Sequence, residues 1–90
     1  MRIRYTRRAL FQLDGIYDHA AGDNGGAAED VIAATQSSIE NLSRFPRLGR
    51  ATDETDVYRI VPARLPYSIF YRLQDQEIII LRILRGVQPD

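Results

Sequence analysis

The feature that most constrains the fold is the change in spacing of hydrophobic residues along the chain. After a short alternating stretch at Ile3 and Tyr5, apolar residues recur every three or four positions as far as Leu42, and from Val57 onward they alternate with other residues. Spacings of three and four place side chains on one stripe of an α-helix, whereas alternation places them on one face of a β-strand. The chain therefore predicts one strand, then helices, then further strands.

Two helices are predicted between Thr6 and Pro46. Thr6 offers a side-chain oxygen as an N-cap, and the first apolar stripe, which fades at Gly22, consists of Leu10, Leu13, Tyr17 and Ala20. Pro46 ends the second stripe, which consists of Ala28, Val31, Thr35, Ile39 and Leu42. We expect the two helices to form a hairpin, with Phe45 and Leu48 of the following connection packed beneath it.

Three more strands are predicted in the second half of the chain. They are Val57 to Val61, Tyr67 to Leu73 and Ile78 to Leu84, the last two joined by a hairpin turn at Asp75-Gln76. In the last strand, simple alternation separates one set of side chains (Ile79, Leu81, Ile83) from the other (Ile78, Ile80, Arg82, Leu84). The order β-α-α-β-β-β predicts one α+β domain over residues 1–90, in which a mostly antiparallel four-stranded sheet carries the two-helix hairpin on one face.

Composition argues against several classes of function. The chain has no cysteine and a single histidine, His19, so it offers no disulfide framework, thiolate metal site or imidazole cluster, and we expect no metal and no cofactor. The N-terminal residues lack the apolar run of a signal peptide, and the longest apolar stretch, Ile78 to Leu81, is too short to cross a bilayer. We therefore expect a cytoplasmic protein without a membrane partner.

The charged residues are balanced in number but not in position. Twelve arginines offset twelve acidic residues, so the chain lacks the positive field of a general nucleic-acid binder, and we expect no sequence-specific contact with nucleic acid. Residues 1–8 carry four arginines and no acid, whereas residues 14–30 carry five acids and no arginine. Arginine favours forked contacts with carboxylates or phosphates, although codon bias would also explain the absence of lysine.

Two further patterns have simple explanations. Asp14 and Asp18 lie one helical turn apart and imitate a catalytic carboxylate pair, but on an amphipathic helix they indicate a solvated face. Gly22, Gly25 and Gly26 lack the preceding strand and the following lysine of a phosphate-binding loop. Neither glycosidase nor nucleotide-binding activity is therefore expected.

Five phrases, in this order, resemble one family. They are Tyr5-Thr6-Arg7-Arg8-Ala9-Leu10, Asp23-Asn24, Phe45-Pro46-Arg47-Leu48-Gly49-Arg50, Pro66-Tyr67-Ser68-Ile69-Phe70-Tyr71-Arg72 and Ile80-Leu81-Arg82-Ile83-Leu84-Arg85-Gly86. Together with the order β-α-α-β-β-β, they make nearly the whole chain resemble the RelE/ParE superfamily of type II toxins, closer to its ParE branch. The phrase from Phe45 to Arg50 is also explained simply as a helix stop with a hydrophobic plug.

RelE-like members of this superfamily resemble ribosome-dependent nucleases, which cleave messenger RNA with basic side chains on the open face of the sheet. In a pattern alignment, the positions of those groups are occupied here by Arg59, Val61, Ser68 and Gln88. Only Arg59 suits such chemistry, and the last residues include neither the tyrosine nor the histidine that closes many nucleases. The resemblance therefore implies a toxin that is not an enzyme; if the chain does cleave RNA, Arg59 is the first catalytic candidate.

ParE-like members are associated with poisoning of DNA gyrase, which requires a complementary surface and no catalytic group. The candidates for that contact are Arg59, Arg72 and Arg82, which we expect to share the non-helical face of the sheet with Arg85 near its rim. Arg82 is the strongest because it interrupts an apolar run, where a charge is costly unless it is paired or exposed for use. Ordinary surface charge stays open for each arginine, and a RelE-like nuclease or a non-toxic antitoxin-binding remnant are the alternative functions.

The resemblance also implies a cognate ParD-like antitoxin in a hetero-oligomeric complex, its tail folding over the helical hairpin and the sheet edge. Phe11, Ile16 and Ile32 lie off the predicted stripes and are the candidates for a groove that accepts an amphipathic helix. The alternative, favoured for Ile16 and Ile32, is that the stripes are misplaced by one residue and that these side chains belong to the core.

Overall fold

A mixed β-sheet carries two helices on one side in the computed structural model, which describes residues 1–23, 25–62 and 65–85. The elements of these residues are β1 (Arg2–Tyr5), α1 (Arg7–Asp23), α2 (Gly25–Arg44), β2 (Arg50–Ala51), β3 (Val57–Ile60), β4 (Tyr67–Gln74) and β5 (Glu77–Arg85). The strands lie in the order β1-β5-β4-β3-β2, with β1 parallel to β5 and the other neighbours antiparallel. The predicted fold class is confirmed, but the two-residue β2 adds a fifth strand that is too short for alternation to reveal.

Thr6 connects β1, α1 and β5. Its hydroxyl accepts a hydrogen bond from the Ala9 amide nitrogen at 3.0 Å and donates one to the Leu81 carbonyl oxygen at 2.8 Å, which confirms the predicted N-cap. Because β1 pairs with β5 over only four residues, no strand of the described part of the chain lies beside the later part of β5 on that edge. There the Gln12 side-chain oxygen accepts a hydrogen bond from the Ile83 amide nitrogen at 2.7 Å.

The buried stripe of α1 differs from the predicted one. Ala9 and Ile16 lie in the core, whereas Leu10 and Tyr17 are exposed. The predicted stripe is confirmed for Leu13, which packs against the core, and is wrong for Leu10 and Tyr17. The packed side also includes Gln12, through its hydrogen bond with β5, so hydrophobicity alone did not mark that side. Ile16 is only 6% exposed and lies in the core, which confirms the alternative favoured for it over a place in an antitoxin groove.

The buried stripe of α2 is confirmed for the side chains that the structure describes. Thr35, Ile39 and Leu42 are buried. The Thr35 hydroxyl donates to the Val31 carbonyl oxygen at 2.7 Å, so this polar group needs no partner from another element. Ala20 and Ala28, also predicted on the stripes, lie outside the described side chains. Neither helix, over the part of the chain that the structure describes, is long and apolar enough to span a membrane.

The helices pack against one face of the sheet, and neither described helix covers the other face, where Val57, Ser68 and Phe70 are nevertheless buried. Side chains of both layers form one buried cluster: Ala9, Ile16, Ile39, Leu42, Tyr67, Ile69, Tyr71, Ile78, Ile80 and Ile83. The alternation predicted for β4 is confirmed, because every second residue from Tyr67 to Tyr71 belongs to this cluster. The residues between them therefore point to the opposite side, which we call the open face.

A β-bulge at Leu81 reverses the alternation in the middle of β5. Tyr71 is opposite Ile80 and Phe70 is opposite Arg82, so Leu81 is an extra residue in β5. The predicted alternation holds before Leu81 and is wrong after it. Ile83 packs in the core, and Arg82, opposite Phe70, lies on the open face.

Candidate binding surfaces

The open face carries a row of arginines. The cross-strand register places Arg82, Phe70, Arg59 and Arg50 side by side across β5, β4, β3 and β2, and Arg72 lies in the neighbouring row. Residues directly opposite each other in a sheet point to the same side. The prediction that Arg59, Arg72 and Arg82 share the face away from the helices is therefore confirmed, whereas their contact with a target stays a prediction.

Arg82 lies between an aromatic ring and a carboxylate. Its guanidinium carbon lies 4.3 Å from the centroid of the Phe70 ring, and its Nη2 donates to Glu54 Oε1 at 2.9 Å. Glu54 belongs to the acidic loop before β3, in which its backbone amide donates to the Thr52 hydroxyl and its carbonyl accepts from the Val57 amide. These contacts explain how a charge is accommodated in an apolar strand.

Arg85 lies on the helix side of the sheet. It is opposite the core residue Tyr67, and its Nη1 contacts His19 Nε2 on α1. Arg82 and Arg85 are three residues apart, so in a strand they point to opposite sides. The prediction that Arg85 joins the other arginines at the rim of the open face is therefore wrong.

The positions that nucleases use are only partly represented on the open face. Arg59 lies there, Val61 is an exposed apolar residue, Ser68 is buried, and Gln88 lies outside the described residues. His19 lies on α1, in contact with Arg85. Within residues 1–23, 25–62 and 65–85, no group of three or more His, Asp or Glu side chains is placed to hold a metal ion.

A buried tyrosine fixes the loop between α2 and β2. The Tyr71 hydroxyl donates to the Pro46 carbonyl oxygen and accepts from the Gly49 amide nitrogen, both at 2.9 Å. Burial raises the pKa of Tyr71 above its ordinary value of 10.0; the Gly49 hydrogen bond opposes this rise and the neighbouring Tyr58 adds to it. The phenol therefore keeps its proton near neutral pH and can donate it to Pro46.

The prediction that Phe45 and Leu48 pack beneath the helices is wrong. They are 59% and 60% exposed, while the Tyr71 hydroxyl holds the backbone of the loop at Pro46 and Gly49. Arg47 lies in the same loop, and its Nη1 donates to the Tyr58 hydroxyl at 3.0 Å. The sequence pattern of this loop resembles a hydrophobic plug, yet the fold presents the apolar side chains to solvent.

Two concave regions flank Leu48. One has a volume of about 500 Å³, lies between α2 and the end of β3, and is lined by Asn41, Leu48, Arg50, Arg59 and Val61 together with neighbouring residues. The other has a volume of about 440 Å³ and is formed by residues 44–48. We define the edge surface as Phe45, Arg47, Leu48, Arg50, Arg59 and Val61. Sequence reasoning missed it because a loop, a helix and the end of a strand together form it.

A second exposed apolar region lies on α1. Phe11 is 79% exposed, and Leu10 and Tyr17 are about half exposed on the same helix; we call these three residues the outer face of α1. The accessibility expected of Phe11 is confirmed, and Ile32 of α2 is partly buried. A contact between the antitoxin and Phe11 or Ile32 stays a prediction.

Comparison with known proteins relates the chain to one family along almost its whole length. The family model of the ParE toxin of the type II toxin-antitoxin system parDE matches residues 3–89. The chain is 33% identical over 87 residues to the putative toxin Y4kP of Sinorhizobium fredii, which covers 97% of this chain and 90% of that protein. It is 34% identical over 89 residues to toxin ParE3 of Caulobacter vibrioides, which covers 94% of this chain and 86% of that protein.

Solved structures show the same relationship. A chain of the chromosomal ParDE toxin-antitoxin system from P. aeruginosa matches with a TM-score of 0.84 and 30% identity, over 97% of both chains. A chain of the intact E. coli RelBE toxin-antitoxin complex matches with a TM-score of 0.69 and 13% identity, over 97% of this chain and 98% of that one. The second likeness is one of fold alone.

Proposed function

The chain belongs to the ParE toxin family of type II toxin-antitoxin systems, and from this premise we propose that it arrests growth by binding DNA gyrase and that a ParD-like antitoxin neutralises it. Its membership of the RelE/ParE superfamily, predicted from the five sequence phrases, is confirmed. The coarser statement, that it is a toxin with an antitoxin partner, follows from the family. The target and the class of antitoxin are our proposal.

The observation that carries the gyrase proposal is the row of arginines on the open face. Within the described residues, the ion pairs hold Arg82 to Glu54 and include neither Arg59 nor Arg72. Guanidinium groups held on a rigid sheet form forked hydrogen bonds with carboxylates. They therefore suit an acidic protein surface, and arginine is enriched among the residues that dominate such interfaces.

Binding, and not catalysis, is the activity that these side chains support better. Cleavage of a phosphodiester requires an acid, a base and a phosphate-holding group at one point. Of the described positions aligned with nuclease residues, Arg59 supplies a cation, Val61 supplies an apolar side chain, and Ser68 is buried. Arg82 is already engaged by Phe70 and Glu54.

One observation favours a second candidate function, a RelE-like ribosome-dependent nuclease. Arg50 and Arg59 lie directly opposite each other in the pairing of β2 with β3, so their side chains point to the same side of the sheet, as two groups that hold one phosphate must. In that case Arg59 would be the first catalytic candidate. A remnant that binds the antitoxin without toxicity has no comparable observation in its favour.

For the antitoxin, the proposed contact includes the outer face of α1. Three large hydrophobic side chains, Leu10, Phe11 and Tyr17, are exposed on one helix, and such a face suits an amphipathic helix of a partner. Single exposed apolar residues are common on protein surfaces, whereas three on one side of a helix favour an interaction site, here one that also includes the exposed carboxylates of Asp14 and Asp18.

The deciding experiment measures two activities of the purified, antitoxin-free protein side by side. The first is gyrase supercoiling with accumulation of the cleavage complex, and the second is ribosome-dependent cleavage of messenger RNA. We expect gyrase inhibition without RNA cleavage, and loss of inhibition in Arg59→Ala and Arg72→Ala. RNA cleavage that disappears in Arg59→Ala would establish the nuclease instead, and inactivity in both assays would contradict the proposed target.

A further inference from the structure

Exposed hydrophobic side chains converge at the edge of the sheet near the end of α2. Phe45, Leu48 and Val61 are each more than half exposed. They come from a loop and from the residue after β3, yet Leu48 and Val61 line the same concave region, and Phe45 and Leu48 line the other. Exposed apolar residues that meet in this way indicate a binding surface, unlike isolated ones.

The charged side chains that line these two concave regions have one sign, whereas Asp53 lines a smaller neighbouring depression together with Arg50 and Arg59. Arg44, Arg47, Arg50 and Arg59 line the two concave regions, and the described lining of both contains no aspartate or glutamate. The chain as a whole has a net charge of zero. The local excess of positive charge is therefore a property of this surface and favours an acidic partner.

Hydrogen bonds hold the backbone of the loop that carries Phe45 and Leu48. The Leu48 amide donates to the Phe45 carbonyl oxygen at 3.0 Å, and Tyr71 holds the backbone at Pro46 and Gly49. A loop already fixed in one conformation loses little conformational entropy when a partner binds. The exposed hydrophobic side chains of this loop are therefore preorganised for binding a partner.

The neighbouring strand edge has unpaired backbone. β2 pairs with β3 only at Tyr58 and Arg59, so among the described residues no strand lies beside Ile60 and Val61 on that edge. An exposed edge accepts an extended segment of another chain through main-chain hydrogen bonds. The surface thus combines one recess of mixed lining, one mainly apolar recess, a cationic border and an open edge.

We propose that the edge surface binds an acidic segment of the antitoxin, with one apolar side chain of that segment on each side of Leu48 and its carboxylates beside Arg50 and Arg59. The inference rests on the proposed function, in which an antitoxin neutralises this chain. The proposal gives a binding role to the phrase from Phe45 to Arg50, whose sequence pattern is also explained simply as a helix stop. The two recesses, separated by a single side chain, suit an extended or helical segment better than the broad face of a folded domain.

Two substitutions test the surface in the toxin-antitoxin complex. Leu48→Ser removes the side chain shared by both recesses, and we expect the antitoxin Kd to rise by about tenfold or more, as for a central residue of an interface. Arg50→Gln removes one cation at the border, so we expect a smaller rise in Kd and a weaker dependence of Kd on salt concentration. Both residues are exposed, so neither change should unfold the protein, and thermal melting of each variant checks this.

Matched controls separate this effect from general changes in shape or charge. Leu48→Met keeps an apolar side chain of similar size and should bind like the wild type. Arg2→Gln removes one arginine from β1, at the opposite edge of the sheet. Among the described contacts, Arg2 forms one ion pair, in which its Nε lies 3.9 Å from Glu77 Oε2. Arg2→Gln should also leave the antitoxin Kd unchanged.

A photocrosslinking amino acid at Val61 identifies the bound segment. In the purified complex, we expect the crosslink to map to a stretch of the antitoxin that contains acidic and apolar residues. Wild-type Kd values in both Leu48→Ser and Arg50→Gln, or a crosslink to a basic or uncharged segment, would overturn the edge-surface inference while leaving the proposed function intact. Failure of the wild-type chain itself to bind its antitoxin would overturn both.

Discussion

The Gly49 amide nitrogen donates a hydrogen bond to the Tyr71 hydroxyl at 2.9 Å, and the same hydroxyl fills the space in which a side chain at Gly49 would lie. One phenol therefore supports the loop after α2 and also limits which residue can occupy it. Because Tyr71 is fully buried in β4, its hydrogen bonds fix the surface loop relative to the sheet.

We expect Gly49→Ala to lower the free energy of unfolding by about 1–3 kcal/mol, because the new Cβ would lie 2.6 Å from the Tyr71 hydroxyl and 2.9 Å from the Arg59 carbonyl oxygen. Gly15→Ala is the matched control. Nothing lies within 4 Å of a Cβ at Gly15, so alanine in this helix should stabilise the protein by roughly 0.5–1 kcal/mol. Urea unfolding measures both, and equal effects of the two substitutions would contradict the close approach at Gly49.

Stability should depend on the ionisation of two tyrosines at alkaline pH. Burial raises the pKa of Tyr71, and burial together with the nearby Glu40 raises the pKa of Tyr5. The folded-state pKa values of these tyrosines lie above the unfolded value of about 10. The stability that the protonated tyrosines contribute is therefore fully present below about pH 10 and is lost as the pH rises through the folded-state pKa values.

We therefore expect the free energy of unfolding to fall as the pH increases above about 10. Urea titrations at a series of pH values would measure this fall. Tyr71→Phe and Tyr5→Phe should each make it shallower, and the double variant should make it shallowest. An unchanged profile in the double variant would show that other groups control alkaline stability.

The two partners of Arg82 should have separable effects on target binding. If Arg82 contacts the target, Arg82→Ala abolishes gyrase inhibition. Glu54→Gln releases the guanidinium from its carboxylate and leaves its contact with Phe70 in place, so inhibition should persist or increase. The exposed ion pair contributes roughly 0–1 kcal/mol, so Glu54→Gln should hardly change the unfolding free energy. Equal loss of inhibition in the two variants would indicate that Arg82 only positions the acidic loop.

Substitutions at two positions of α1, Phe11 and Ile16, should separate binding from folding. Phe11→Ala removes a side chain that is 79% exposed, so we expect weaker antitoxin binding with little change in stability. Ile16→Ala leaves a cavity in the core and should lower the unfolding free energy by about 2–5 kcal/mol. Isothermal titration and urea unfolding provide the two measurements, and an unchanged antitoxin Kd in Phe11→Ala would remove the best residue from the proposed contact.

The order of helices and strands could be predicted from hydrophobic spacing, since long periodic segments such as α2 and β4 bury the residues that the spacing marks. The spacing failed for part of α1, where a polar residue, Gln12, belongs to the packed side through a hydrogen bond with the sheet. It failed again in β5, where the extra residue at Leu81 changes the direction of every following side chain. Both failures arise from contacts between elements, which a local pattern does not contain.

The candidate sites were predicted less completely for a related reason. The shared face of Arg59, Arg72 and Arg82 was identified, but Arg85 was misplaced. The edge surface was not found, because the loop that carries Phe45 and Leu48 is held by the hydroxyl of Tyr71, more than twenty residues later in the sequence. A sequence pattern identifies apolar residues, and only the fold shows which of them lie at the surface.

The hydrogen bonds of Thr6 and Gln12 also limit how molecules of this protein can associate. β5 extends beyond β1, and the free amide and carbonyl groups along such an edge can pair with a strand of another molecule and begin aggregation. The Thr6 hydroxyl occupies the Leu81 carbonyl, and the Gln12 side chain occupies the Ile83 amide. Two polar side chains thus occupy backbone groups along the part of β5 beyond β1, and we expect them to oppose pairing of this edge with a strand of another molecule.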